Sequence, residues 1–131
     1  MYIIQVLNKL GVKLVNSENL TDNENINLDV TYELSGYHFV WNSEKYQINC
    51  QKHNITFEEA ATVIVDPYTE FYADDEHSED EDRFIAIGYS GKLRLLVVCH
   101  CLRDNDLAFR LISARKATNT ERESYENGDS I

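Results

Sequence analysis

Residues 93–102 read LRLLVVCHCL, an apolar run that only Arg94 and His100 interrupt. A run that is apolar at both odd and even positions is typical of a strand covered on both faces. Strand-like runs flank it at 83–89 and 107–115, and short polar turns separate the three. Because short turns join antiparallel neighbours, the stretch predicts the centre of an antiparallel meander.

A β-hairpin is predicted upstream, where apolar and polar residues alternate strictly over 26–34. The alternation places one set of side chains on the same face of a strand. The set is Ile26, Leu28, Val30, Tyr32 and Leu34. Ser35-Gly36 follows as a two-residue turn, since glycine tolerates the positive φ of a tight hairpin, and residues 37–41 return as the antiparallel partner.

The first 25 residues give a weaker signal. Ile3, Leu7, Leu10 and Leu14 recur at helical spacing, but residues 2–7 fit a short strand equally well. Residues 16–25 are polar without an apolar period and predict a loop.

Three helices are predicted from their capping residues. The first covers about 43–53, with Asn42 or Ser43 at its start and Asn54 in the left-handed turn at its end. Capping boxes, in which two side chains bond each other's backbone amides, begin the other two helices. The boxes are Thr56 with Glu59 and Thr118 with Glu121. With a short strand at 70–73, the order of elements predicts an α+β fold around an antiparallel sheet.

The composition indicates a single domain. The chain has 131 residues, 43% of them hydrophobic, which is enough apolar material for one core. No apolar stretch approaches the roughly 20 residues that span a bilayer, so neither a membrane helix nor a secretory signal is expected. Three cysteines are an odd number, which argues against a disulfide framework and fits reduced thiols in the cytoplasm. Cys99-His100-Cys101 lacks the four ligands of structural zinc, so no metal or cofactor is expected.

The charge is strongly negative and unevenly distributed. A net charge of −11 argues against a general nucleic-acid binder, because such proteins neutralise phosphates with cations. Residues 83–131 nevertheless carry 8 basic and 6 acidic side chains. Nine acidic residues lie between Asp66 and Asp82, a block that fits either a solvated loop or a docking surface for a basic partner.

Spaced groups of residues run through 39–125 in a recognisable order. They are Phe39-Val40-Trp41-Asn42, Lys45, Asn49, Lys52-His53-Asn54, Phe57-Glu58-Glu59-Ala60, Asp66-Pro67, Glu81-Asp82-Arg83-Phe84, Ile87-Gly88, Arg103, Arg110, Ile112 through Ala117, Glu121, Arg122 and Tyr125. Together they resemble the BrnT family, the toxin half of a bacterial toxin–antitoxin pair. The resemblance implies a RelE-like fold, RNA cleavage without a metal, and neutralisation by BrnA, an antitoxin that also binds DNA. It also implies a toxin domain over 39–126, preceded by an extension over 1–38 with an added strand and followed by a flexible tail over 127–131.

This chemistry selects basic residues as the candidate site. Metal-free cleavage requires a proton to leave the 2′-hydroxyl, an anionic phosphorane to be stabilised, and a proton to reach the 5′-oxygen. Arginine suits phosphate because its planar fork stays charged, and histidine suits proton transfer near neutral pH. The predicted catalytic residues are His53, Arg83, Arg103 and Arg110. The predicted substrate-binding residues are Lys45, Lys52 and Arg115.

Some of these assignments have structural alternatives. His100 is the other candidate for proton transfer, and the family resemblance favours His53. His53 can instead complement the dipole at a helix end, and His100 can instead form a structural hydrogen bond within its strand. Arg110 fits a substrate contact and an ion pair with Glu59 or Asp66 almost equally well.

Three further positions affect the interpretation. Arg115 with the adjacent Lys116 fits a solvated rim, and Trp41 fits a core position better than a base-stacking one. Leu102 stands where the family often has a glutamate before the arginine equivalent to Arg103. This departure favours keeping a second hypothesis, a non-catalytic protein-binding module or co-regulator that has lost RNA cleavage.

Overall fold

The computed structural model describes residues 28–77, 81–103, 105 and 107–129. In chain order they form β1 (Asp29–Leu34), β2 (Tyr37–Asn42), α1 (Ser43–His53), α2 (Phe57–Ile64), β3 (Glu70–Ala73), a short 3-10 helix (Asp75–His77), β4 (Arg83–Tyr89), β5 (Leu95–Arg103), β6 (Ala108–Lys116) and α3 (Asn119–Asn127). This order confirms the predicted α+β class. The predictions for residues 1–25, and for Ile26 as the start of the first strand, lie outside the described residues.

The six strands form one sheet in the order β1-β2-β6-β5-β4-β3. Four of the neighbouring pairs are antiparallel, but β2 and β6 run parallel from the pair His38–Ala108 to the pair Val40–Arg110. The prediction of a wholly antiparallel sheet is therefore wrong at this junction. Turn residues predict the pairing only of strands that follow one another in sequence. Two helices and three strands lie between β2 and β6 in the chain.

The β1–β2 hairpin confirms the predicted turn and alternation. Ser35 and Gly36 have φ of 52° and 81°, and positive φ at both central residues defines the turn type that matches strand twist. Val30 is buried, and the neighbouring apolar residues of β1 pack against the same core.

The helix ends follow the predicted caps with one exception. Asn42 Oδ1 accepts bonds from the amides of Glu44 and Lys45 at 3.0 and 3.1 Å, and Asn54 adopts the left-handed conformation after α1. The reciprocal box of α3 is complete. At α2, the Thr56 hydroxyl accepts from the Glu59 amide at 3.1 Å, but the Glu59 carboxylate bonds Arg94 instead of returning to Thr56. That half of the predicted box is wrong.

One face of the sheet is covered by helices. Trp41, which is 1% exposed, stacks on Tyr46 and meets the edge of Phe57, with ring centroids 5.8 and 5.6 Å away. This confirms the core interpretation of Trp41. Burying each large side chain of this kind stabilises the fold by about 1.5–3 kcal/mol.

The opposite face is covered only in part. Tyr125 of α3 and the preceding Ala117 pack against Ile87, Leu95 and Val97. Beyond this small core, no helix of the described residues lies over this second face of the sheet.

Candidate functional site

A row of side chains crosses the part of the sheet that α3 leaves uncovered. Arg83, Cys101, Arg110 and Val40 are register partners across β4, β5, β6 and β2. Directly paired residues of neighbouring strands point to the same face. Successive side chains of a strand point to opposite faces. Phe39 and Trp41 pack into the core on the helix-covered face, so Val40 and the residues paired with it point to the opposite face. We call this uncovered surface the open face; its outward residues include Thr31, His38, Val40, Arg83, Cys99, Cys101, Arg103, Arg110, Ser113 and Arg115.

Two clefts lie along the open face. Arg103 and Arg110 line a cleft of about 520 Å³ together with Asp29, Thr31 and His38 from the hairpin. Arg83 and Arg115 line a second cleft of about 300 Å³ with Asp74, Cys99 and Ser113. The structure thus brings all four predicted arginines to one surface, with two at each cleft.

Carboxylates contact Arg103, Arg110 and Arg115 of the open face. Arg115 makes two bonds to the Glu121 carboxylate at 2.8 and 2.9 Å. This pairing holds the pKa of Glu121 down at about 2. Arg110 contacts Asp29 at 3.3 Å, so the predicted partners Glu59 and Asp66 are wrong although an ion pair is present.

The third pairing involves Glu81, which was not among the predicted site residues. Glu81 contacts Arg103 at 2.5 Å and accepts a hydrogen bond from the Cys101 thiol at 3.2 Å. Burial and the neighbouring Glu81 raise the pKa of Cys101 to about 11. Glu81 therefore supplies Arg103 with a carboxylate from the segment before β4, whereas position 102 holds the half-buried Leu102.

The predicted residues of α1 lie at the border of the open face. Asn49 anchors α1 along the edge of β6, because its amide donates to the Ala114 carbonyl at 2.9 Å and accepts from the Ala114 amide at 3.0 Å. Lys45 and Lys52 are exposed, and their helical spacing places them on the same side of α1 as Asn49. His53 is half-buried, and its pKa is lowered by burial and by the charges of Lys52 and Arg115.

His100 does not join the open face. It is 2% exposed, with Nδ1 3.4 Å from the Val98 carbonyl, and the rings of Phe71, Phe84 and Phe109 surround it. Burial lowers its pKa, so the neutral form is favoured. The structural interpretation of His100 is confirmed.

The sequence analysis also missed two other polar features. Arg94 bonds the buried carboxylate of Glu59, with Nε 2.9 Å from Oε2, and Ser90 bonds the same oxygen at 2.7 Å. His38 lies on the outward side of the hairpin with Nδ1 3.2 Å from Glu33 Oε1. The first cluster has no local signal in sequence, because it joins a helix residue to a turn 31 residues later. The pairing of Glu33 with His38 did have one, since the predicted Ser35-Gly36 turn fixes that register.

Metal and membrane features were sought among the described residues. No group of three or more histidine, cysteine, aspartate or glutamate side chains is arranged there to hold a metal ion. Within the same part of the chain, no helix has the length and apolar character needed to cross a membrane.

Comparison with known proteins identifies the family. A sequence model described as "Ribonuclease toxin, BrnT, of type II toxin-antitoxin system" matches residues 41–121, from the end of β2 to the start of α3. Among solved structures, the chain is similar to the ribonuclease toxin BrnT of Brucella abortus, with 23% identity and a TM-score of 0.47 over 60% of this chain and 94% of that chain. A search of curated proteins found no match. Because the family model covers more than half of the sequence, the chain belongs to the BrnT family of ribonuclease toxins of type II toxin–antitoxin systems.

Proposed function

We propose that this chain is an endoribonuclease toxin that cleaves RNA at the open face without a metal ion. Its proposed partner is a cognate BrnA-like antitoxin that blocks this face in the cytoplasm, and DNA is contacted only indirectly, through that antitoxin. The observation that carries the proposal is the shared face of Arg83, Arg103, Arg110 and Arg115, with Arg83 and Arg110 in one row across Cys101.

The arginine side chains suit the charge that develops during cleavage. A phosphorane gains negative charge on its equatorial oxygens, and guanidinium groups stabilise it while staying protonated. Arg110 and Arg103 are each anchored by a carboxylate. Their side chains are still 25% and 43% exposed, so each guanidinium is accessible to a ligand. A phosphate therefore shares each arginine with the resident carboxylate or displaces it.

The residues of α1 extend the proposed RNA path. Lys45 and Lys52 supply exposed cations on α1, and the charges of Lys52 and Arg115 both act on His53. An RNA backbone that leaves the second cleft at Arg115 would follow this side of α1. His53 is a proposed proton-transfer group at this end of the site. Its lowered pKa keeps the ring neutral near pH 7, which is the state that accepts a proton.

The antitoxin is proposed to compete with RNA for the same arginines. A protein segment with carboxylates can pair with guanidinium groups as Asp29 and Glu81 do here. Such a segment would exclude RNA by charge as well as by volume. RNA and antitoxin should therefore compete in a binding assay with fluorescently labelled RNA.

The central test replaces Arg110 by alanine in the full chain. We expect cleavage of a defined RNA to fall by about 100- to 1,000-fold, the range found when one preorganised charge donor is removed from a reaction centre. Arg122→Ala is the matched control, because Arg122 is a half-buried arginine of α3 that lines neither cleft and pairs with Glu126 at 3.7 Å. Thermal unfolding should show that both variants remain folded.

The outcomes separate the two functional hypotheses. Wild-type cleavage that persists in EDTA, with a selective loss in Arg110→Ala, supports a metal-free ribonuclease. Cleavage that EDTA abolishes would contradict the metal-free mechanism. A folded wild-type chain that binds its antitoxin but cleaves no RNA would support the non-catalytic module instead.

A further inference from the structure

A histidine of the β1–β2 hairpin faces the arginines of the larger cleft. We propose that His38, oriented by Glu33, is the proton acceptor for RNA cleavage between Arg103 and Arg110. The inference rests on the proposed ribonuclease function and goes beyond it, because the hairpin strand β1 and His38 lie before the family match at 41–121.

The hairpin register fixes the orientation of the imidazole. Glu33 and His38 are direct cross-strand partners, and Nδ1 of His38 lies 3.2 Å from Oε1 of Glu33. A carboxylate at this distance favours the tautomer in which Nδ1–H donates to it. Nε2 then carries a lone pair, which is the arrangement that carboxylate–histidine pairs provide in acid–base catalysis. The side chain of His38 is 62% exposed, so Nε2 is accessible to substrate.

The sheet register places His38 opposite the arginines. His38 pairs with Ala108, and Ala108 pairs with Arg103, so the three residues form one row across β2, β6 and β5. Strands lie roughly 4.8 Å apart, which separates the backbones of His38 and Arg103 by about 10 Å. The short side chain of Ala108 leaves the space between them open, and both residues line the cleft of about 520 Å³.

Arg110 completes the arrangement from the neighbouring row. It pairs with Val40, two residues after His38 on the same face of β2. A phosphodiester held by Arg103 and Arg110 would therefore present its ribose toward β2. Arg115 lies five residues farther along β6, roughly 17 Å from Arg110, so His53 near Arg115 is less well placed for this phosphate.

The proposed reaction is balanced by one proton accepted and one supplied. Nε2 of His38 takes the proton of the 2′-hydroxyl, and the 2′-oxygen forms a bond to phosphorus. The bond from phosphorus to the 5′-oxygen breaks, and that oxygen takes a proton from water. The proton that His38 then releases to solvent neutralises the hydroxide left by that water. The products are a 2′,3′-cyclic phosphate and a free 5′-hydroxyl. Arg103 and Arg110 stabilise the phosphorane without changing protonation state.

The charged groups around His38 come from three strands. Glu33 and Asp29 lie on β1, Arg110 lies on β6 and Arg103 lies on β5. Because a histidine accepts a proton only when neutral, cleavage should slow on acidification, and this acidic limb should be lost when His38 is replaced.

The test compares His38→Asn, Glu33→Gln and His53→Asn in the full chain. We expect His38→Asn to lower the single-turnover rate at saturating RNA by about 100-fold or more and to remove the acidic limb of the pH–rate profile. Binding of a 2′-deoxy substrate, which cannot be cleaved, should change less than threefold. Glu33→Gln should give a smaller loss in rate, because it removes the orienting carboxylate and keeps the imidazole. Glu44→Gln, an exposed carboxylate on α1, is its matched control.

Each outcome is decisive. Wild-type activity that survives His38→Asn but fails in His53→Asn would overturn the assignment of His38 and leave the ribonuclease function intact. A loss confined to RNA affinity would also overturn it, since a proton acceptor acts on the rate. If the folded wild-type chain cleaves no RNA, the proposed function fails and this inference fails with it.

Discussion

The two faces of the sheet use charge in opposite ways. On the helix-covered face, Glu59 is 5% exposed, and its carboxylate is bonded by Arg94 and Ser90. On the open face, Arg103 and Arg110 keep 43% and 25% of their side chains exposed, and among the described residues each contacts a single carboxylate. A buried charge depends on the partners that replace water around it, so removing one of them is costly. A partly exposed charge can exchange its partner for a ligand, because water also reaches it. Exposure and the number of partners therefore separate structural charges from candidate site charges.

Asn49 lies where the two faces meet. β2 pairs with β6 only as far as Arg110, and α1 takes the place of a strand beside the rest of β6. The Asn49 amide bonds both backbone groups of Ala114 and also donates to the Ile55 carbonyl at 3.1 Å. One buried side chain thus satisfies an open sheet edge and fixes α1 next to the proposed RNA path.

The largest expected effect on stability comes from breaking the buried Arg94–Glu59 ion pair on the helix-covered face. Arg94→Leu leaves the Glu59 carboxylate buried without its guanidinium, and removing one partner of a buried ion pair costs about 3 to 5 kcal/mol. The free energy of unfolding in urea should fall by this amount. Where the variant remains folded, RNA cleavage per folded molecule should match the wild type.

Lys92→Leu provides the control for that experiment. Lys92 lies in the same turn as Arg94 and is exposed. Its replacement should lower the unfolding midpoint far less, because the Lys92 charge acts on Glu59 without a hydrogen bond among the described contacts. Equal destabilisation by the two variants would show that the turn, and not the bond to Glu59, is responsible.

A smaller effect is expected at the border between α3 and the open face. The pKa of Glu121 is depressed to about 2 because Arg115 and the Thr118 amide stabilise the carboxylate. A depressed acid pKa stabilises the folded state above the unfolded pKa, near 4.5, and this stabilisation is lost as the pH falls toward 2. Since Arg115 is 41% exposed, solvent screening reduces the contribution, and Glu121→Gln should cost about 1 to 2 kcal/mol at pH 7.

Urea unfolding at several pH values checks this prediction. The difference between wild type and Glu121→Gln should shrink steadily between pH 4.5 and pH 3. Glu123→Gln, an exposed position on the same helix, should behave as the wild type at every pH. A constant difference across this range would show that the carboxylate charge is not the cause.

The sequence predicted the local elements of this fold well because their signals are local. Ser35-Gly36, Asn42, Asn54 and the box of Thr118 each act within a few residues, and their caps and turns are confirmed. The parallel pairing of β2 with β6 has no such signal. It depends on packing between elements that are distant in sequence.

The same limit applies to the candidate site. The arginines could be selected by chemistry, since phosphate binding needs a persistent positive charge. The carboxylate partners of these arginines could not be predicted from the sequence, because Asp29 reaches Arg110 and Glu81 reaches Arg103 only through the pairing of the strands. His38 was missed for the same reason, as it comes near Arg103 across an intervening strand.

The smallest expected effect concerns the lysines of α1. Lys45→Gln and Lys52→Gln should each weaken RNA binding about two- to fivefold at low salt, since exposed cations contribute to phosphate binding mainly through counterion release. The slope of log affinity against log salt should fall by about 0.7 for each phosphate that the variant no longer neutralises. Lys92→Gln is the control, because Lys92 lines a cleft with Glu59 and Arg94, away from the open face. If Lys92→Gln weakens RNA binding as much as the α1 variants do, overall charge governs binding and α1 does not border the RNA path.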